Sequence, residues 1–166
     1  MTATKQATTL MVGLGEVKTS QDPEEVLTCL GLGSCIGVSM HDPVAKIAGM
    51  AHIVLPSSDG RPERTGGKYA DTGIPLLLEM MLKRGAIKSR VVVKIAGGAQ
   101  ISKAKGLGDA FQIGERNNDA VRAVLDANFM KIKGSDTGGH HGRTLRFYLD
   151  TGQTLVTTAG KEIQEI

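Results

Sequence analysis

Leu30–Pro56 reads LGLGSCIGVSMHDPVAKIAGMAHIVLP and holds two apolar runs around a single turn. Cys35–Met40 (CIGVSM) and Ile47–Leu55 (IAGMAHIVL) have the apolar, partly β-branched content of strands. His41-Asp42-Pro43 between them is turn chemistry, with Asp before Pro, and Pro56 stops the second run. Strands joined this tightly pair antiparallel. Cys35 begins one strand and His52 lies near the end of the other, so this pairing makes the two residues face each other.

Outward from the hairpin, strand and helix patterns interleave. Upstream, Thr9–Val17 (TLMVGLGEV) reads as one strand, with Gly13 and Gly15 as a bulge or exit, and Val26–Leu30 reads as another. Downstream, Ser57–Gly67 (SSDGRPERTGG) is a polar surface loop. A helix follows, capped by Asp71 or Thr72, with Pro75 tolerated in its first turn and PLLLEMMLKR running to Gly85. Arg90–Ala96 (RVVVKIA) is a strand of buried type closed by Gly97-Gly98. The loop from there to Gly114 is long for a compact domain, a feature associated with function, though its composition names no chemistry. Glu115–Asn128 is amphipathic, with Ala120, Val121, Val124 and Leu125 at helical spacing. Phe129–Lys133, Arg143–Asp150 and Gln153–Thr158 read as strands, the last two around the turn Asp150-Thr151-Gly152. Two helices among about seven or eight strands predict an α/β (α+β) fold, a three-layer sandwich of mostly antiparallel or mixed sheet. No repeat or linker divides the chain, so residues 1–166 read as one domain with 1–8 flexible.

Composition excludes several classes. The chain has 166 residues, with 22 Gly, no Trp, 3 Phe and 2 Tyr, so its core rests on Val, Ile, Leu, Met and Ala. A net charge of +3 with scattered Lys and Arg gives neither a basic patch nor a stacking platform, which argues against nucleic acid. No run approaches the roughly 18 apolar residues of a membrane span, and Met1–Ser20 does not have the form of a signal peptide. Two Cys without an export signal fit free thiols in a reducing cytoplasm.

The densest motif is Leu30-Gly31-Leu32-Gly33-Ser34-Cys35. It is not a dinucleotide fingerprint, because Ile36 replaces the third Gly and a strand pattern follows. Gly67-Lys68-Tyr69 is not a phosphate loop, since Tyr stands where Ser or Thr is needed. A thiol displayed after a tight glycine turn has another use: uncovered N–H groups beside it, from Ser34 and Cys35, can receive an oxyanion. His52 is a polar residue inside an apolar strand, and Cys plus His is the minimal set for nucleophilic acyl chemistry. Each also has a plain alternative, a packed small hydrophobe for Cys35 and a satisfied core imidazole for His52. His140-His141 are adjacent and cannot easily share one metal, and Cys29 and Cys35 lack a partner pair, so no metal site is expected.

Five blocks in order carry a resemblance: LGLGSCIGV, DPVAKIAGMAHIVLP, Gly67-Lys68-Tyr69-Ala70-Asp71, Lys94-Ile95-Ala96-Gly97-Gly98-Ala99 and Ile113-Gly114-Glu115-Arg116-Asn117. Together they resemble CheD, the chemoreceptor glutamine deamidase family of bacterial and archaeal chemotaxis. The resemblance implies an α/β sandwich related to a glutamine-deamidating toxin domain and a cofactor-free cysteine hydrolase. Cys35 matches the nucleophile and His52 the general base and acid. The third member of the family site is a Thr whose ungapped position here is Cys29, with Thr28 one residue before it. The implied substrates are Gln side chains of methyl-accepting chemotaxis receptors, and the implied second partner is the phosphatase CheC. A His⁺ neighbour holding the thiol near pKa 6 would raise its thiolate fraction at pH 7 from ~3% to about 90%. Two alternatives accompany this reading: a non-catalytic adaptor that stimulates CheC, and another thiol acyl-transfer enzyme such as a peptidase.

Overall fold

The structure, a computed structural model, describes residues 6–101 and 112–166. Residues 1–5 of the segment expected to be flexible, and 102–111 of the long loop, lie outside the described residues. The described chain runs β1 (Thr8–Met11), β2 (Val17–Ser20), β3 (Glu25–Leu32), β4 (Ile36–Asp42), β5 (Ile47–Ile53) and α1 (Ala70–Lys83). It continues β6 (Val92–Gly97), α2 (Ile113–Ala127), β7 (Ile132–Thr137), β8 (Arg143–Tyr148), β9 (Thr154–Thr158) and β10 (Gln164–Glu165). The strands form two five-stranded mixed sheets, ordered β1-β3-β8-β9-β10 and β2-β5-β4-β6-β7. Among the described residues no helix is long and apolar enough to cross a membrane.

Alternation along the central hairpin sorts side chains into the two cores that separate three layers. Ile36, Val38, Met40, Ile47, Ala51 and Ile53 face the helices. Ala48 and Met50 face the other sheet, where they meet Leu27, Leu145, Phe147 and Val156. The helices complete the first core with apolar stripes, Ile74, Leu77 and Met81 from α1 and Val121 and Leu125 from α2. Full burial of each such side chain favours the folded state by about 1.5–3 kcal/mol. The hairpin turn is closed by Asp42, whose carboxylate accepts from the Val44 and Ala45 N–H groups at 3.0 and 3.1 Å. It also accepts from Ile87 N–H at 2.8 Å and Arg90 Nη2 at 2.9 Å. The Arg90 guanidinium holds this carboxyl well below the usual carboxylate range.

Several boundaries differ from the sequence reading, each for a local reason. Thr9–Val17 is two strands in different sheets, because Gly13–Glu16 makes a turn, with Gly15 at φ +72° and Glu16 N–H bonded to the Gly13 carbonyl. The strand read at Val26–Leu30 extends to Leu32 through a register shift after Cys29. Helix α1 starts at Ala70 behind Tyr69, without a side-chain cap. Asp71 instead accepts from Ser58 N–H at 2.9 Å and Ser58 Oγ at 2.7 Å, pinning the polar loop to the helix.

Both helices end in the same hydrogen-bonded motif, with different residues at its left-handed position. After α1, Gly85 N–H donates to the Leu82 carbonyl and Ala86 N–H to the Met81 carbonyl. After α2, Phe129 and Met130 donate in the same way to Asp126 and Leu125. The sequence reading made Phe129 the start of a strand; it terminates the helix instead, at φ +57°, with its side chain 90% exposed. Left-handed backbone is costly for a residue with a Cβ and cheap for glycine. Phe129→Gly is therefore expected to stabilise the fold by about 0.5–1 kcal/mol. Urea unfolding checks this; an unchanged or lower midpoint goes against it.

Candidate active site

The antiparallel β4–β5 ladder pairs Ile36 with Ile53 and Gly37 with His52. Cys35 stands one residue before β4, half-buried, and shares by alternation the face of Gly37 and His52. The nucleophile and base candidates are thus on one face of neighbouring strands, offset diagonally rather than directly opposed as the hairpin reading expected. The offset follows from the register, which sets Gly37 opposite His52 and places Cys35 two residues before Gly37. Gly37 fills the ladder position between them with no side chain. A Cβ there would lie 2.9 Å from Leu145 Cδ2, 3.1 Å from Leu32 Cδ1 and 3.5 Å from Cys29 Cβ.

Cys29 therefore packs over Gly37, the ladder partner of His52. It is fully buried, and burial together with the nearby Cys35 thiol pushes its own thiol far above the ordinary range. Thr28 points to the other face of β3, where its Oγ1 donates to the Val26 carbonyl at 3.3 Å. The strand does not turn to bring Thr28 inward.

His52 is held from the chain's N-terminal segment. Its Nδ1 lies 3.0 Å from the Val12 carbonyl oxygen. A carbonyl can only accept, so Nδ1 carries a proton, and Nε2 of the neutral ring keeps its lone pair. Nε2 is buried and has no partner among the described residues. Val12 is fixed in turn by its N–H bond to the Thr28 carbonyl at 2.8 Å. The His52 backbone exchanges bonds of 3.0 Å with Glu16 and Gly15. The Gly13 N–H and Lys18 hold the Glu16 carboxyl below its ordinary value.

The turn carrying Cys35 is tied on both sides. Gly98 N–H donates to the Cys35 carbonyl at 2.9 Å and Ala99 N–H to the Gly33 carbonyl at 2.8 Å. Gly97, at φ +116°, lies so close that a Cβ would sit 2.1 Å from the Cys35 carbonyl oxygen. From α2, Asn117 Nδ2 donates to the carbonyls of Ser34 and Val54, each at 2.9 Å. The Ser34 and Cys35 N–H groups donate to no backbone or side-chain acceptor among the described residues. Sequence reasoning missed two of these supports. Val12 contributes only a carbonyl, which every residue has. Asn117 did leave a signal: it extends the buried Val121–Leu125 stripe by one turn with a polar side chain. His140, by contrast, is exposed, with Nδ1 2.9 Å from the Gln100 carbonyl oxygen.

One electrostatic expectation is corrected. Burial pushes the Cys35 thiol above its ordinary value, rather than a His⁺ neighbour drawing it toward 6. Cys35 thus rests as a thiol at neutral pH. Alkylation of Cys35 by iodoacetamide is therefore expected to keep rising about tenfold per pH unit through pH 8, since only the thiolate attacks. A plateau below pH 7 would restore the depressed value. Buried Cys29 should remain unlabelled throughout.

Residues 54–158 match the family model described as CheD chemotactic sensory transduction. A protein of Symbiobacterium thermophilum named probable chemoreceptor glutamine deamidase CheD is 45% identical over 157 residues, 93% of this chain and 95% of its own. The chemoreceptor glutamine deamidase CheD of Thermotoga maritima is 42% identical over 160 residues, 94% of this chain and 98% of its own. An archaeal relative from Archaeoglobus fulgidus, a probable chemoreceptor glutamine deamidase CheD, is 39% identical over 147 residues, 89% and 91% of the two chains. With the family model matched over more than half its length and relatives of this identity along nearly all of it, the chain belongs to the CheD family.

Proposed function

We propose that this chain is a cytoplasmic protein-glutamine deamidase that converts Gln side chains of methyl-accepting chemotaxis receptors to Glu. The observation that carries the reading is the imidazole of His52, locked by Val12 with an unpartnered Nε2 on the face that it shares with Cys35. Nε2 takes the Sγ proton and the thiolate adds to the Gln amide carbon, closing the C–S bond. The negative oxygen that forms is received by the N–H groups of Cys35 and Ser34, where one good donor contributes about 3–4 kcal/mol. The imidazolium returns its proton to the departing nitrogen, the C–N bond breaks, and ammonia leaves behind a thioester. His52 then draws a proton from water, hydroxide adds to the thioester, and the C–S bond breaks to give Glu and the free thiol. The sum is amide plus water to carboxylate plus ammonium.

Because Cys29 replaces the family's Thr, the Val12 carbonyl supplies the contact that orients His52. Binding to the phosphatase CheC is the second activity of this reading. The test is incubation with a receptor cytoplasmic fragment, following ammonia and the mass gain of amide-to-acid conversion, about one dalton per site. Wild type is expected to produce both, and Cys35→Ala neither. A wild type that leaves the receptor unchanged yet stimulates CheC would overturn catalysis in favour of the adaptor.

A further inference from the structure

We infer that Asn117 is a positioning residue that aims the Cys35 N–H at the developing oxyanion, an inference that rests on the deamidase reading above. Asn117 lies in α2, in a different layer from the hairpin, and is fully buried. It therefore touches no substrate. Its Nδ2 spends both hydrogens on carbonyls at critical places, Ser34 just before the nucleophile and Val54 two residues after His52. The β4–β5 ladder runs only from Ile36↔Ile53 to Asp42↔Ile47. Beyond its end, one side-chain amide bridges the two strands where backbone pairing has stopped.

The consequence for Cys35 follows from the planarity of the peptide. In a trans peptide the C=O of one residue and the N–H of the next point in opposite directions. Drawing the Ser34 carbonyl toward α2 turns the Cys35 N–H away from it. That N–H is without an acceptor among the described residues. The amide orientation of Asn117 is itself fixed, because the flipped form would set Oδ1 against two carbonyl oxygens.

A packing role alone does not account for this residue. Oδ1 is buried with no partner among the described residues, a condition that disfavours the folded state. Leucine has nearly the same shape and would fill the space without stranding a polar atom. What leucine lacks is the pair of donors.

Asn117→Leu tests the assignment through two reactions of the same thiol. Deamidation develops an oxyanion, whereas alkylation by iodoacetamide does not. The variant is expected to lose about 10- to 100-fold in kcat, with KM within about threefold and Cys35 alkylation within about twofold of wild type. Wild-type kcat overturns the inference. Alkylation falling in step with kcat also overturns it, because the clamp would then hold the thiol or the fold rather than the amide. Asn117→Ala, with less bulk, is measured alongside in case the leucine variant does not fold, and the same outcomes apply. Two controls separate the levels: a wild type that does not deamidate sinks the deamidase reading itself, and a Cys35→Ala variant that still deamidates sinks the nucleophile assignment. If Cys35→Ala is inactive while Asn117→Leu and Asn117→Ala both retain wild-type kcat, only the positioning role falls.

Discussion

Cys35→Ala is expected to lower receptor deamidation by about 10⁴- to 10⁶-fold, the scale on which hydrolases lose activity when their nucleophile is removed. The size follows from what is left. His52 would keep its Val12 contact, and the Ser34 and Cys35 N–H groups, without acceptors among the described residues, would keep the proposed oxyanion position. No covalent route would exist, and water would have to attack an unactivated amide directly. Alanine is smaller than the half-buried thiol and leaves the tight Gly97 contact untouched, since that contact is with the Cys35 backbone. Receptor binding should therefore survive, and the loss should sit in kcat. Ammonia release at saturating receptor reads it directly. More than about 1% residual activity would be inconsistent with a nucleophile loss on this scale and would move the attack elsewhere.

Gly97→Ala is expected to be the most damaging change that leaves every candidate catalytic side chain in place. Its Cβ would lie 2.1 Å from the Cys35 carbonyl oxygen and 3.2 Å from the carbonyl carbon, at φ +116°. The clash is with backbone, so no rotamer change relieves it. The same residue's carbonyl accepts from Gly138 N–H at 3.0 Å and Arg143 Nη1 at 3.3 Å, and the neighbouring N–H holds Cys35. Strain and overpacking together should cost about 3–5 kcal/mol. Within the fraction that folds, displacement of the Cys35 turn should reduce kcat by roughly 100-fold. Gly31→Ala is the control: Gly31 has φ +65° but nothing within 4 Å of a Cβ, so it should show only backbone strain, about 1–2 kcal/mol. Denaturant midpoints of the two variants decide the matter, and equal shifts would mean that the close contact yields.

The sequence was most legible where chemistry and pattern disagreed. His52 stood out because an ionisable ring interrupts an apolar run, and Cys35 because glycines precede it. Both are carried by the same hairpin, whose strands were legible from their apolar runs and whose turn was legible from Asp42-Pro43. The N-terminal segment hides its turn for the opposite reason: Thr9–Val17 carries no charge before Glu16, so the apolar run continues into a turn that changes sheets. The two residues of β10, both exposed, carry no pattern at all. Phe129 reads as the start of a strand, yet it terminates α2, because the left-handed position that usually falls to glycine is taken here by an aromatic residue. Thr28 and Cys29 show the limit of positional reading. Alternation states that they face opposite ways, but only the packing over Gly37 shows which one meets the site.

The Val12 carbonyl has a practical consequence for genetics. A scan that replaces each side chain in turn is expected to expose Cys35 and His52 through their chemistry, whereas a loss at fully buried Val12 would read as a packing defect, because every substitution there retains a main-chain oxygen. The atom that selects the imidazole tautomer is thus encoded by the path of the chain and not by any codon's side chain. Losses traceable to it should surface as deletions or strand-breaking prolines near β1. A catalogue of point mutants would name two side chains and leave out the carbonyl that holds one of them.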